Sequence, residues 1–412
     1  MELFKNTNFD FLGWKWHFII ASLVLTVAGL VSLVGRGGPK YGIDFKGGTL
    51  MTVRFAGKPP IDEIRSAVSK RVGGSGEVTV QNFESTSNEV AIGTELTDER
   101  QLDLNRRTII QTLQATFGQP SSGKLDFNNS GHETLVSRLR DPLARAGVAL
   151  SEPQLQKLVV DMLNFRDTPP RSGLITSFDQ LSSVPGVTPA VINTLKQECY
   201  TAPFSVRRVE MVGPKVGADL RQRAIWATLA ALGGMLVYIA FRFEWIYGVA
   251  AVVAVFHDTI ITIGFFSLFD KEITLTVIAA LLTLVGYSMN DTIVIFDRIR
   301  ENLKLSRREP LEQLINRSVN QTLSRTVMTS GLTFLTVLAL FLFGGAVLHG
   351  FSFALVVGII IGTYSSVFIA SPIVLFWHDW FDKRKRSAAV AAPARASTGK
   401  ESAGKGSMRA MK

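Results

Sequence analysis

Ionisable side chains set inside long apolar stretches are where this sequence could do chemistry, because a charge in hydrocarbon is costly and is kept for a reason. Three positions qualify. Asn290-Asp291 lies within GYSMNDTIVIFDRIREN (286–302), His257-Asp258 within VAVFHDTIITIGFF (253–266), and Arg325 within SRTVMTSGLTF (324–334). Burial holds a carboxylate neutral, whereas a neighbouring cation favours its charged form. An acid poised between the two influences can load and release a proton. Asp291, with Asn290 as a hydrogen-bond neighbour and Arg325 as the balancing cation, has that composition. The same residues also fit a static buried pair that fixes helix packing, and the residues alone leave both readings open. His257 is a possible relay or a packing residue. Asp258, near the middle of its stretch, is expected about 10 Å from Asp291 in depth at 1.5 Å per residue, on one polar path rather than in a direct pair. Asp297 and Arg298 read as interface residues.

Six apolar runs must position these groups: 17–35, 225–241, 245–269, 273–296, 326–343 and 350–377. Most approach the ~20 residues that cross a ~30 Å hydrocarbon core as a helix. The chain has 412 residues, 47% hydrophobic and only 19% charged, with the apolar residues gathered in those runs. The first run lacks a small-x-small cleavage site and reads as an uncleaved span. The expected layout is a short N-terminal segment (1–16), span one (17–35), a large loop domain (36–222), a bundle of spans two to six (223–382) and a basic tail (383–412). From about 387 the tail is rich in Ala, Ser, Gly and Lys and is expected to be disordered.

Lys and Arg sit on one side. Lys383-Arg384-Lys385-Arg386 and the loop with Arg298, Arg300, Lys304, Arg307, Arg308 and Arg317 are basic, whereas 270–272 and 344–349 contain only Lys271. The positive-inside rule then places both termini in the cytoplasm and 36–222 outside. The net charge of +10 reads as topology and contact with anionic lipids, not as a nucleic-acid footprint. A single Cys199 excludes an internal disulfide framework.

Within the loop domain, 48–56, 77–84, 88–96 and 204–213 read as strands, and 61–72 and 98–118 as helices. Strand-helix-strand-strand-helix-strand is a ferredoxin-like α+β order. A mostly helical insertion (120–203) interrupts it, with helices at 150–165 and 188–199 and a helix-hairpin-helix pattern over 178–196. That hairpin has no flanking basic run, so a packing module fits it better than a DNA contact. Glycines mark both junctions with the membrane: Gly42, Asp44, Gly47 and Gly48 after span one, and Gly213 and Gly217 before span two. They allow tight turns or hinges, and neither stretch fits a phosphate-binding loop. Gly358, Gly362, Ser365 and Ser366 suit close helix contact in span six.

GIDFKGG (42–48), VGPKVGADLRQ (212–222), VFHDTIIT (255–262), GYSMNDTIVIFDRIREN, SRTVMTS (324–330), FLFGG (341–345) and GTYSSVFIASP (362–372) together resemble the SecF family, related to resistance-nodulation-division transporters. The resemblance covers the membrane part and both junctions; the 120–203 insertion is longer than the family needs. It implies half of such a transporter, paired with a SecD-like subunit beside the SecYEG channel in the bacterial inner membrane. It further implies use of the proton gradient, with no other cofactor, to drive translocation of an unfolded polypeptide. By motif match Asp291 takes the family's membrane carboxylate position, Arg325 its arginine position and Asp258 its His-Asp position. No catalytic residue and no metal ligand is assigned. A passive scaffold for the channel, or half of a proton-driven lipid or small-molecule transporter, are the other readings.

Overall fold

Among the described residues, six helices are long and apolar enough to cross a membrane. The structure, a computed structural model, describes residues 7–72, 78–82, 88–95, 102–118, 123–242, 245–306 and 308–391. The spans are α1 (Lys15–Gly35), α8 (Pro214–Arg242), α9 (Trp245–Leu268), α10 (Leu275–Leu305), α11 (Leu311–Phe343) and a sixth made of α12 (Gly345–Ser365) and α13 (Ser371–Ala391). Spans three, four and six hold the buried centre, while one, two and five present most of their surface outward.

The helices outrun the apolar runs. Span two begins at Pro214, so its first turns are polar, and span five begins at Leu311, which puts Arg325 well inside a helix rather than at its start. Hydropathy marks only the part in hydrocarbon, whereas backbone hydrogen bonding carries a helix on into water. The first turns of α11 pack at the end away from the loop domain: Asn302 Nδ2 donates to Ser318 Oγ (2.8 Å), and Phe9 and Phe11 donate their N–H groups to Asn320 and Asn316 (2.9 Å each). Residues 7–14, a short 3-10 turn (Leu12–Trp14) included, are therefore docked on the bundle, with Leu12 fully buried.

Span six is broken by a five-residue π turn, Ser366–Ala370. Pro372 follows at once, and a proline lacks the N–H that would continue the ladder. The Ser371 hydroxyl donates to the Ser366 carbonyl across the turn (2.9 Å). The expected disordered tail is corrected in part: α13 is helical through Ala391, and 392–412 lie outside the described residues.

Span one packs along α9 with a constant offset. Ser22 meets His257 and Ser32 meets Ser267 (2.8 Å), each pair 235 residues apart. Gly29 faces Gly264, again 264 − 29 = 235, so closely that a Cβ on either would lie 2.8 Å from the other's Cα. A constant offset means two parallel helices in fixed register, and the small residues let their backbones touch.

The loop domain is a four-stranded antiparallel sheet in the order β2-β3-β1-β6: β1 (Gly48–Phe55), β2 (Val78–Asn82), β3 (Glu89–Glu95) and β6 (Phe204–Val212). Helices α3 (Ile61–Val72) and α4 (Leu102–Phe117) cover one face through Ile64, Val68, Ile109 and Leu113 against Met51, Val53, Val90 and Ile92. This is the ferredoxin-like arrangement; residues 77, 83–84, 96 and 98–101 of the anticipated elements lie outside the described residues.

The insertion has a core of its own, built by α5 (His132–Arg145), α6 (Glu152–Asp167) and α7 (Pro189–Glu198) around Phe127, Leu139, Val159 and Leu195. The hairpin reading is corrected. Phe178–Ser183 is a single 3-10 stretch, and only the second arm, capped by Thr188 on the Val191 N–H (3.4 Å), is an α-helix. A two-residue parallel pair, β4 (Leu125–Asp126) with β5 (Cys199–Tyr200), closes the insertion. Asn128 and Asn129 then tie it to the sheet by donating to the carbonyls of Ala202 (2.8 Å) and Phe204 (3.1 Å). Burial pushes the Cys199 thiol up to about 12, so it stays protonated and inert.

Candidate functional site: a buried carboxylate layer joined to a glycine clasp

Asp258 and Asp291 are both buried in the bundle. They differ in what holds them. Asp258 Oδ2 accepts from Ser288 Oγ on α10 (2.6 Å) and Ser365 Oγ on α12 (2.8 Å), and its Oδ1 faces His257 Nδ1 (2.8 Å). An ionised carboxylate only accepts, so in a neutral ring Nδ1 carries the hydrogen and Nε2 accepts from Ser22 of α1. One carboxylate thus links four helices, with three donors and the π turn directly behind Ser365. That saturation is what a structural clasp needs.

Asp291 is held by much less. Ser330 Oγ of α11 donates to its Oδ2 (2.7 Å). Arg325, five residues earlier on the same helix and exposed, acts on it electrostatically but is not within the 4.0 Å of an ion pair. Asn290 is exposed, yet its side chain also acts on Asp291 as a hydrogen-bond partner. On the Asp291 side, the Tyr287 and Thr326 hydroxyls are buried without a partner. Tyr287 precedes Asp291 by four residues and Thr326 precedes Ser330 by four, so each shares a helix face with the site. Unsatisfied buried hydroxyls are where ordered water is expected.

The expected 10 Å separation in depth is corrected. Asp258 is bonded to Ser288, three residues from Asp291, which is only about 4.5 Å along α10. Run midpoints misplace depth because α10 extends to Leu305, beyond its apolar part. Sequence reasoning also missed Ser22, Ser288 and Ser330. Their only signal was a hydroxyl in an apolar span, which does not announce its partner. Gly362 lets Ser288 approach: a Cβ there would lie 3.1 Å from the serine Cβ.

The junction residues form a second constellation. After α1 the chain makes a parallel bridge between Tyr41 and Ile273, with the Gly42 N–H on the Ile273 carbonyl (3.0 Å) and the Ile273 N–H on the Lys40 carbonyl (2.7 Å). One turn of helix, α2 (Ile43–Lys46), follows, and Asp44 Oδ2 accepts from the Leu275 N–H (2.9 Å). An acid at the first residue of α10 satisfies an orphan donor and favours the helix dipole. The two glycine stretches meet each other. A Cβ on Gly47 would lie 2.6 Å from Pro214 Cα, and one on Gly217 would lie 2.9 Å from the Gly47 nitrogen. Gly47 (φ +81°) and Gly48 (φ +148°) take backbone conformations that favour glycine. Gly213 supplies the carbonyl for the Gly217 N–H (2.9 Å). These residues form a tight clasp between the domain, α8 and the start of α10, the helix that carries Ser288 and Asp291.

Beside the clasp, Glu272 lies among Lys40 (4.0 Å), Lys46 and Asp270. Burial holds its carboxyl above the usual carboxylate range, against the pull of Lys40 and Lys46. The folded state therefore binds this proton more tightly than the unfolded chain. Stability from this group is full below the unfolded value and falls as pH rises through the folded one. Glu272→Gln is expected to be more stable than wild type near neutrality and to flatten the pH dependence, measured by thermal melting between about pH 5 and about pH 8.

Six spans around one polar layer, carrying a single ferredoxin-like domain, define a polytopic membrane protein built as one half of a resistance-nodulation-division type transporter. Two family profiles match: the C-terminal region of the protein export membrane proteins SecD/SecF over residues 191–380, and the SecD/SecF GG motif over 31–58. The protein translocase subunit SecF of Koribacter versatilis is 50% identical over 405 residues, covering 96% of this chain and 97% of its own. That of Rhodothermus marinus is 36% identical over 91% of this chain and 95% of its own. The crystal structure of SecDF, a translocon-associated membrane protein from Thermus thermophilus, superposes with TM-score 0.60 at 32% identity. This chain covers 39% of that longer one and is itself 91% covered. The chain belongs to the SecF family of protein translocase subunits. The Koribacter match spans nearly the whole chain and so runs through the insertion.

Proposed function

We propose that this protein acts with a SecD-like subunit beside a SecYEG channel, using the proton gradient to drive or complete export of unfolded polypeptides. In this reading it lies in the bacterial inner membrane, termini inside and the 36–222 domain outside, with no cofactor and no covalent chemistry of its own. The observation that carries it is the contrast between the two buried carboxylates. Asp258 is saturated by hydroxyl and imidazole donors, whereas Asp291 is held by Ser330 with help from the exposed Asn290, beside unpartnered hydroxyls and without an ion pair to Arg325. An acid held only by neutral side-chain donors, one of them exposed, with room for water, can exchange a proton without dismantling the bundle. Asp291 and Ser288 share α10 with the Asp44 clasp, so a shift of that helix would be felt at the domain.

The SecDF relative carries both halves in one chain, and the exposed outer faces of α8 and α11 suit a second half. The test is export in vesicles holding this protein, a SecD-like subunit and the channel, started by the ATP-driven motor. Collapsing the gradient with a protonophore should remove the increment this protein adds. An increment that survives the collapse would favour a passive scaffold.

A further inference from the structure

We infer that four buried hydroxyls of α11, Ser318, Thr322, Thr326 and Ser330, form the route by which the Asp291 proton leaves toward the end of the bundle away from the loop domain, with Thr326 as the gating link. The route depends on the proton-coupled role proposed above for Asp291 and gives it a direction and a gate. The four hydroxyls recur every fourth residue, so they follow one another along one side of the helix over about 18 Å. Ser330 heads the column by donating to Asp291 (2.7 Å). Ser318 ends it by accepting from Asn302 (2.8 Å), whose amide also reaches the exposed Gln321 (2.9 Å).

Bonded pairs fix how α10 lies against the column. Their residue numbers add to nearly the same total, 621 for Asp291 with Ser330 and 620 for Asn302 with Ser318, so the two helices are antiparallel in one register. That register sets Thr326 level with Ile295 and Thr322 level with Ile299, both fully buried. An apolar wall at those two levels keeps water out, and a dry segment does not conduct. A path open at both ends would dissipate the gradient, so a closed segment on one side of Asp291 is what coupling requires.

Among the described residues, Thr326 is the one hydroxyl of the column with no partner, although it is buried. Ser330 is committed to Asp291, and Thr322 and Ser318 donate to the carbonyls of Ser318 (3.1 Å) and Leu314 (2.8 Å). The remaining threonines of α11, Thr329, Thr333 and Thr336, likewise donate to the carbonyl four residues earlier (3.0 Å each). A threonine that only packs would bond back in the same way. Successive hydroxyls are one turn, about 6 Å, apart along the axis, so a water in each gap completes the chain when the wall parts. Asp291 then gives up its proton and becomes a carboxylate. Each hydroxyl takes a proton from one side and passes its own to the other, and water at Gln321 receives the last.

The experiment is proton flux across vesicles holding this protein, a SecD-like subunit and the channel, read by an enclosed pH-sensitive dye while export runs. Thr326→Val keeps the shape and should lower the export-coupled flux about tenfold, the worth of one hydrogen bond in a barrier. Thr326→Ser should restore it, and Thr336→Val, on the exposed side of α11, should match wild type. The denaturant midpoint of Thr326→Val should not fall, because a methyl replaces a buried hydroxyl that has no partner. Wild-type flux in Thr326→Val beside lost flux in Asp291→Asn overturns the route and leaves the proton-coupled role standing. Wild-type flux in Asp291→Asn removes both. An equal loss in Thr326→Ser makes Thr326 a packing residue and overturns the gate. If Thr326→Val also melts lower, Thr326→Cys decides, since Cys199 is buried and inert. A membrane-impermeant thiol reagent must reach it during export from the side away from the loop domain, and failure to do so overturns the route.

Discussion

Asp291→Asn is expected to leave the protein folded and membrane-inserted while removing all of the export increment that depends on the proton gradient. Asparagine keeps the size of the side chain, and its Oδ1 can still accept from Ser330 at the 2.7 Å seen for the carboxylate. The stability change should stay near or below about 1 kcal/mol, the net worth of one such bond. What is lost is titration. Asp258→Asn is the informative contrast. Its carboxylate accepts on both oxygens from Ser288, Ser365 and His257, so an amide turns a donor toward a donor. That should cost about 1–3 kcal/mol of stability, with loss of the bond from His257 toward α1. The measurements are protonophore-sensitive export in reconstituted vesicles and denaturant midpoints of the purified variants. Retention of a protonophore-sensitive increment by Asp291→Asn would sink the proton-coupling reading and leave Asp291 as a packing residue.

Gly47→Ala should be a strongly damaging single-methyl change at the junction. The residue has φ +81° and ψ +150°, a region essentially confined to glycine, where a Cβ costs about 1–3 kcal/mol. The added carbon would lie 2.6 Å from Pro214 Cα, a backbone atom that cannot swing aside as a side chain can. Overpacking of that kind costs about 1–3 kcal/mol, so the two effects together predict about 2–6 kcal/mol. The damage should also be directional. Relief requires β1 to part from the start of α8, which pulls Asp44 off the Leu275 N–H. Faster amide exchange at the start of α10 should therefore accompany the lower denaturant midpoint. Gly57→Ala is the control, since a Cβ there meets open space. If Gly47→Ala and Gly57→Ala melt alike, the clasp does not bear on stability.

The clasp alters how the junction glycines read. In the sequence they are permissive residues at the two points where a domain meets a membrane, and permissiveness suggests a hinge. In three dimensions Gly47 and Gly217 lie against each other's chain segments, and the absence of side chains is used for proximity rather than for freedom. Composition supports either use, because what distinguishes them is a neighbour that lies well over a hundred residues away.

Much of the architecture was legible because its causes are local. Each span is a continuous apolar run of the right length, and the sheet strands alternate over stretches short enough to see in one window. The order strand-helix-strand-strand-helix-strand carried the ferredoxin-like arrangement through an insertion of some eighty residues. Asp291, Arg325 and Asp258 stood out for the same reason: a charge in an apolar run is conspicuous without knowing what surrounds it. Only the tertiary structure decided their partners. Ser330, Ser288, Ser365 and Ser22 come from four different helices, and a serine hydroxyl in a span looks the same whether it bonds its own backbone or a distant carboxylate. The parallel register of α1 on α9, the depth of Asp258 and the cap that Asp44 places on α10 are likewise set by packing between distant segments. Hydropathy determines that a helix must enter the membrane. Which face it turns to which neighbour depends on side-chain fit across separations as long as 297 residues, and no window along the chain contains it.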